Sequence, residues 1–158
     1  MNTSLSLRTS KEGFTLLEIL LVVGILVVIA AMSRDFYGSF VSGAQLSDNA
    51  DTIIYDLRST RDKAMNGQDD RIWGIHFVNG ANDYYEIFST PSDYTDLSKI
   101  INVTSYLKAG VSFSYPAESQ SIDIIFNKIS GTTTAANIIL NSGLDTKTIS
   151  VQGQGLVN

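Results

Sequence analysis

The chain has 158 residues, 44% of them hydrophobic and 17% charged, with a formal net charge of −5, which suits one globular domain and excludes wholesale disorder. It has no cysteine and one histidine, which excludes disulfides, thiolate metal sites and thiol nucleophiles, and removes most Ser-His-Asp and histidine-rich metal schemes. The acidic balance offers no overall attraction for nucleic acid or anionic lipid.

The apolar residues are unevenly spread. From Ile19 to Met32 every residue is apolar or glycine, and the stretch from Phe14 to Ser33 carries one charge, Glu18. As a helix rising 1.5 Å per residue, 20 residues span about 30 Å, the thickness of a bilayer's hydrocarbon core. Arg8 and Lys11 stand in front of it, the basic flank that keeps an N-terminus cytoplasmic and puts the residues after Ser33 on the opposite side. Residues 14–33 are therefore expected to cross a membrane. Two plainer readings compete. One is a secretory signal peptide with residues 1–11 as its basic region and a cut near Ala30-Ala31-Met32-Ser33; the other is an uncleaved anchor. Neither explains Glu18, because a carboxylate at the centre of a membrane helix costs about 2.5–3.5 kcal/mol on insertion scales and such groups usually have a partner.

The residues around Glu18 are Lys11-Glu12-Gly13-Phe14-Thr15-Leu16-Leu17-Glu18, directly before the apolar run. This segment resembles the leader-cleavage motif of type IV pilins and pseudopilins. The resemblance implies that residues 1–13 are a leader, removed on the cytoplasmic side by a prepilin peptidase that cuts between Gly13 and Phe14. It also implies that the new amine of Phe14 is methylated and that Glu18 pairs with the N-terminal amine of a neighbouring subunit. The partners implied are the peptidase, other pilin or pseudopilin subunits, an inner-membrane assembly platform, and membrane lipid before assembly. The location implied is the bacterial inner membrane, single-pass with a cytoplasmic N-terminus, and then an extracytoplasmic filament. Gly24 lies within the apolar run, where a small residue allows helices to approach closely.

No proline occurs between Met1 and Thr90, so nothing obliges a helix to stop at the membrane surface. Beyond Ser33, Phe36, Phe40, Ala44, Ala50, Ile53, Ile54, Leu57, Ala64 and Met65 follow the 3.6-residue period, with Asp48, Asp51, Asp56, Arg58 and Asp62 mainly on other faces. Arg58 and Asp62 form an i,i+4 pair, and Asn66-Gly67 is a C-terminal stop. The pattern predicts one helix over 14–65, with an amphipathic half over 34–66. Many major pilins carry a helix-bending proline past the membrane span; this chain has Gly38 and Gly43 instead.

After Gly67 the period changes to two. Strands are expected at 71–78 and 84–88, joined by Asn79-Gly80-Ala81-Asn82-Asp83, and then at 111–115, 122–127, 136–140 and 148–151. Alternation puts Trp73, Ile75 and Phe77 on one face. Residues 67–158 are thus expected to form a globular antiparallel β domain, a sheet or a sandwich, packed on the second half of the helix. The fold class is α+β. The segments Leu57-Arg58-Ser59-Thr60-Arg61-Asp62-Lys63-Ala64, Trp73-Gly74-Ile75-His76-Phe77, Tyr84-Tyr85-Glu86-Ile87-Phe88 and Ile149-Ser150-Val151 with Gly155-Leu156-Val157 resemble the GspH/FimT type of minor pseudopilin. That resemblance implies a pair of sheets on the helix and a place at or near a filament tip.

Other functions find little support. No G-x-S-x-G, Walker A loop or H-E-x-x-H occurs, and no catalytic residue is assigned, so the chain is not expected to be an enzyme or to need a cofactor. His76 alternates within a strand beside apolar residues and reads as a packed side chain. Asp69-Asp70 and Asp93 with Asp96 lack the spacing of a calcium loop, and no metal site is assigned. Residues 34–158 hold 9 basic against 14 acidic side chains, and the one local basic cluster, Arg58, Arg61, Lys63 and Arg71, sits at a helix end that favours cations anyway. Direct nucleic-acid binding is not expected. The alternative function is a membrane-anchored extracytoplasmic β domain that binds a partner without joining a filament.

Overall fold

A computed structural model describes residues 13–143 and 145–158, apart from the side chains of 32–37 and 39. Of the expected leader, only Gly13 falls within it. The chain divides between Gly38 and Ser39 into two compact units. Helix α1, Leu16–Met65, contributes to both.

In the first unit α1 begins two residues later than the sequence pattern suggests, because Thr15 takes the N-cap position. The Thr15 hydroxyl oxygen accepts the Glu18 N–H at 3.2 Å, and the Thr15 carbonyl accepts it at 3.1 Å. Among the described residues no helix is long and apolar enough to cross a membrane.

In the second unit α1 lays one stripe against the β domain. Leu46, Ala50, Ile53, Leu57, Thr60 and Ala64 are buried, recurring in alternating steps of four and three. The stripe differs from expectation at its edges. Phe40 and Ala44 are exposed, while Leu46 and the fully buried Thr60 belong to the contact. The helix stops at Asn66-Gly67 as the sequence predicts. Gly67 adopts the left-handed conformation at φ 62° and its N–H donates to the Ala64 carbonyl, which also accepts the Ile129 N–H at 3.1 Å.

Among its described residues the β domain holds seven strands: β1 Ile72–Val78, β2 Tyr84–Thr90, β3 Ile100–Tyr106, β4 Ser112–Tyr115, β5 Ser121–Phe126, β6 Ala136–Ser142 and β7 Asp145–Val151. They form two sheets with all pairs antiparallel, one in the order β3-β2-β1-β5 and one in the order β4-β6-β7. The expected hairpin is β1–β2, and Trp73, Ile75 and Phe77 face the core together with Tyr85, Ile87, Ile124, Phe126, Phe113, Ile138, Leu140 and Ile149. Strand β3 was not expected. The loop between β1 and β2 ties the sheets: Asn79 Nδ2 donates to the Phe113 and Pro116 carbonyls at 2.9 and 2.7 Å, and Asp83 accepts the Gly80 and Phe113 N–H groups at 3.0 and 2.7 Å.

Candidate functional site

The residues singled out by sequence lie at the start of α1. Phe14 is 79% exposed, and Gly13 and Glu18 are exposed as well. Glu18 stands in the first turn of the helix, where the positive end of the helix dipole favours a carboxylate by about 0.3–1 kcal/mol. Thr15-Leu16-Leu17-Glu18 also has the spacing of a capping box, in which the residue at the Glu18 position supports the N-cap. Thr15 was not singled out from sequence, although this T-x-x-E pattern marks it. The bond observed in this turn is from the Glu18 backbone N–H to Thr15, so any residue at position 18 can make it.

From Ile19 to Ala31 the helix is apolar on every side. Leu16, Leu17, Ile19, Leu20, Leu21, Val22, Val23, Ile25, Leu26, Val27 and Val28 are all exposed. A helix resting on its own domain needs one apolar stripe; one that is apolar all round is covered by lipid or by other chains. Phe14, Leu16, Ile19, Leu20 and Val23 line one shallow face of it.

The other residues considered from sequence are accounted for within the second unit. The basic cluster is consumed by backbone carbonyls and one aromatic ring. Arg58 donates to Val157 O at 2.9 Å rather than pairing with Asp62, Arg61 donates to Gly131 O and Gln154 O at 3.3 Å each, and Arg71 donates to Ser89 O at 3.2 Å. Lys63 lies over the Trp73 ring at 4.8 Å. The other described lysines are engaged too: Lys108 pairs with Asp48, Lys128 with Asp70 and Lys147 with Asp51, while Lys99 lies over Tyr94.

His76 is buried on the outer face of the four-stranded sheet. Its Nδ1 lies 2.5 Å from Asp123 Oδ1, and its ring stacks on Tyr94 at 3.7 Å and 7°. The Tyr94 hydroxyl donates to Glu86 at 2.7 Å, and burial followed by that carboxylate pushes the phenol up from its ordinary range. These contacts fasten the 91–99 loop over the sheet as a packed polar cluster. Asp93 and Asp96 serve the same loop. Hydrogen bonds from Thr95 hold Asp93 below the usual carboxylate range, and those from Ser98 and Ser92 do so for Asp96. Among the described residues no group of three or more histidine or acidic side chains is arranged to hold a metal.

Fold and site together define an α+β protein whose N-terminal helix opens with an apolar, exposed segment containing one carboxylate. No protein-family model matches the chain, and no curated protein matches it. Among solved structures the chain is similar to the type IV minor pilin FimU of Pseudomonas aeruginosa strain PAO1, at 14% identity over 72% of this chain and 90% of that one, with a TM-score of 0.42. A likeness this distant bears on neither family nor function.

Proposed function

We propose that the chain is a structural subunit of a type IV pilus or a type II secretion pseudopilus, of the minor pilin or pseudopilin kind. It is cleaved after Gly13 by a prepilin peptidase and methylated at Phe14. It waits in the inner membrane with its N-terminus cytoplasmic, meets the assembly platform there, and joins other subunits through residues 14–33. The observation that carries this reading is the order of residues: a basic-Glu-Gly-Phe-Thr-Leu-Leu-Glu segment opening directly into a helix that is apolar on every described side. Cutting at Gly13 leaves a cationic amine one helical turn from a carboxylate. Each charge is costly in lipid alone, so a neighbour inserted at the stagger that joins amine to Glu18 relieves both.

Two substitutions separate this pairing from the capping role. Glu18→Gln keeps a side chain able to complete the capping box but removes the charge; Glu18→Ala removes both. If pairing governs assembly, both variants are cleaved and inserted normally yet are absent from sheared filaments. Normal incorporation of Glu18→Gln sinks the pairing and leaves Glu18 as a helix cap.

A further inference from the structure

The edge strands of the two sheets are β3 and β5, and β4 and β7. Three of these edges carry the usual protections against a further strand. β4 is four residues long and runs into Pro116, which has no N–H to offer. On β7, Ser150 exchanges both backbone hydrogen bonds with Asn158, at 2.8 and 3.0 Å, so the last residues cover one end of the strand while Asp145 and Lys147 stand at the other. β5 carries a charge, Asp123. β3 differs. Ile100–Tyr106 has neither a charge nor a proline, and Ile100, Ile101, Val103 and Tyr106 are each at least 45% exposed. The flanking charges are drawn away from it, Lys99 over the Tyr94 ring and Lys108 to Asp48 on α1. β2 takes one side of β3, and among the described residues no strand takes the other. Its one irregularity is the register shift that leaves Asn102 without an opposite residue on β2.

We propose that β3 pairs antiparallel with β3 of a second copy, joining their four-stranded sheets into one continuous sheet. A row of open backbone groups is satisfied by another extended strand, and that strand must present an open edge of its own. Of the edges on this chain only β3 is both uncharged and uncovered. Twofold antiparallel pairing of β3 with itself is also self-complementary. With the axis beside Val103, Ile100 faces Tyr106 and Asn102 faces Thr104, a β-branched–aromatic pair and a hydrogen-bonding pair of the kinds that stabilise neighbouring strands. With the axis at Thr104 or Ser105 the overlapping parts of the two strands are still uncharged. A charged segment of another protein finds no opposite charge along this edge. The pairing uses neither Glu18 nor residues 14–33, so it stands or falls apart from the assembly proposed above.

The chain has no cysteine, so single cysteines report the pairing cleanly. Opposite Cα atoms in an antiparallel ladder lie about 4.5–5.5 Å apart, within the roughly 4.4–6.8 Å of a disulfide. A residue two positions from the axis lies about 14 Å from its equivalent and cannot form one. The test is oxidation of the full chain in phosphocholine micelles, as the variants Ile100→Cys, Val103→Cys, Thr104→Cys and Ser105→Cys, read on non-reducing gels. The expected result is a disulfide-linked dimer at one of positions 103, 104 and 105, and at least about 5-fold less of it at position 100. Val103→Lys restores the lysine that ordinarily guards an edge, and is expected to weaken the dimer at least about 5-fold by light scattering, with the Trp73 fluorescence melt of each copy unchanged. The cysteine series keeps the test valid should that variant unfold. No cross-link at any of positions 103, 104 and 105 overturns the proposal. Equal cross-linking at all four positions, or a dimer that Val103→Lys leaves intact, also overturns it and assigns the association to residues 14–33.

Discussion

Gly74 and Phe88 are paired across β1 and β2, and the glycine exists to admit the ring. A Cβ at residue 74 would lie 2.8 Å from Phe88 Cζ, 3.0 Å from Phe88 Cε1 and 2.8 Å from the Ile124 carbonyl oxygen of β5. Phe88 is fully buried on the outer side of the sheet, with Tyr94 edge-on at 5.0 Å. Gly74→Ala should therefore force both a ring and a strand to give way, an overpacking cost of about 1–3 kcal/mol. Replacing glycine within a strand returns about 0.5–1 kcal/mol of chain entropy, so the net loss at the middle of both ranges is about 1.25 kcal/mol, or roughly 3–5 °C in Tm for a chain of this size. Phe88→Leu removes the ring that makes half of the clash. In that background Gly74→Ala should cost less, with a coupling of at least about 0.5 kcal/mol. Trp73, the one tryptophan and 2% exposed, reports unfolding by fluorescence for the full chain in detergent. A Gly74→Ala protein that melts at or above the parent, or a double variant whose losses simply add, would refute the packing argument.

Three further outcomes are expected. Gly155 has φ +77°, and a Cβ there would fall 2.0 Å from Gly131 O and 2.6 Å from Arg61 Nε; Gly155→Ala should cost more than about 2 kcal/mol by thermal melt, while Gly153→Ala, whose nearest atom is 3.7 Å away, stays within about 0.5 kcal/mol. The Tyr85 hydroxyl donates to Asp56 Oδ2 at 2.6 Å, and burial, then that carboxylate, raises its pKa above the ordinary phenol. The native state thus holds the proton more tightly than the unfolded chain, so its contribution is complete below about pH 10 and is lost as pH rises further. Alkaline melts should show that loss in the parent and a shallower one in Tyr85→Phe; equal slopes would contradict the assignment. Because Arg58, Arg61, Lys63 and Arg71 are spent inside the domain, gel-shift measurements with duplex DNA should show no binding that weakens between 50 and 200 mM salt, and a steep salt dependence would show these cations to be free.

Local periodicity made much of the second unit legible. The 3.6-residue pattern marks the α1 stripe at Ala50, Ile53, Leu57 and Ala64, Asn66-Gly67 marks its end, and period two marks the β1–β2 hairpin. Strand β3 escaped because nearly every residue of Ile100–Tyr106 is exposed, so no alternation between core and solvent distinguishes it. It is an edge strand with a register shift opposite Ile87 and Phe88, which blurs the pattern further. The fate of the basic cluster was equally hidden. Arg58 and Val157 O are 99 residues apart, and Arg61 and Gln154 O are 93 apart, so nothing local tells a structural arginine from a phosphate-binding one. At the N-terminus the reverse holds: Gly13, Phe14 and Glu18 stand out by order in the sequence, and the structure adds Thr15 as the residue that starts the helix behind them.

Processing between Gly13 and Phe14, with assembly from the new terminus, is central to the proposed function. N-terminal mass spectrometry of the protein recovered from its own cells tests it most directly. The expected result is a chain beginning at N-methylated Phe14. A chain that retains Met1, or one that begins near Ser33, would contradict it.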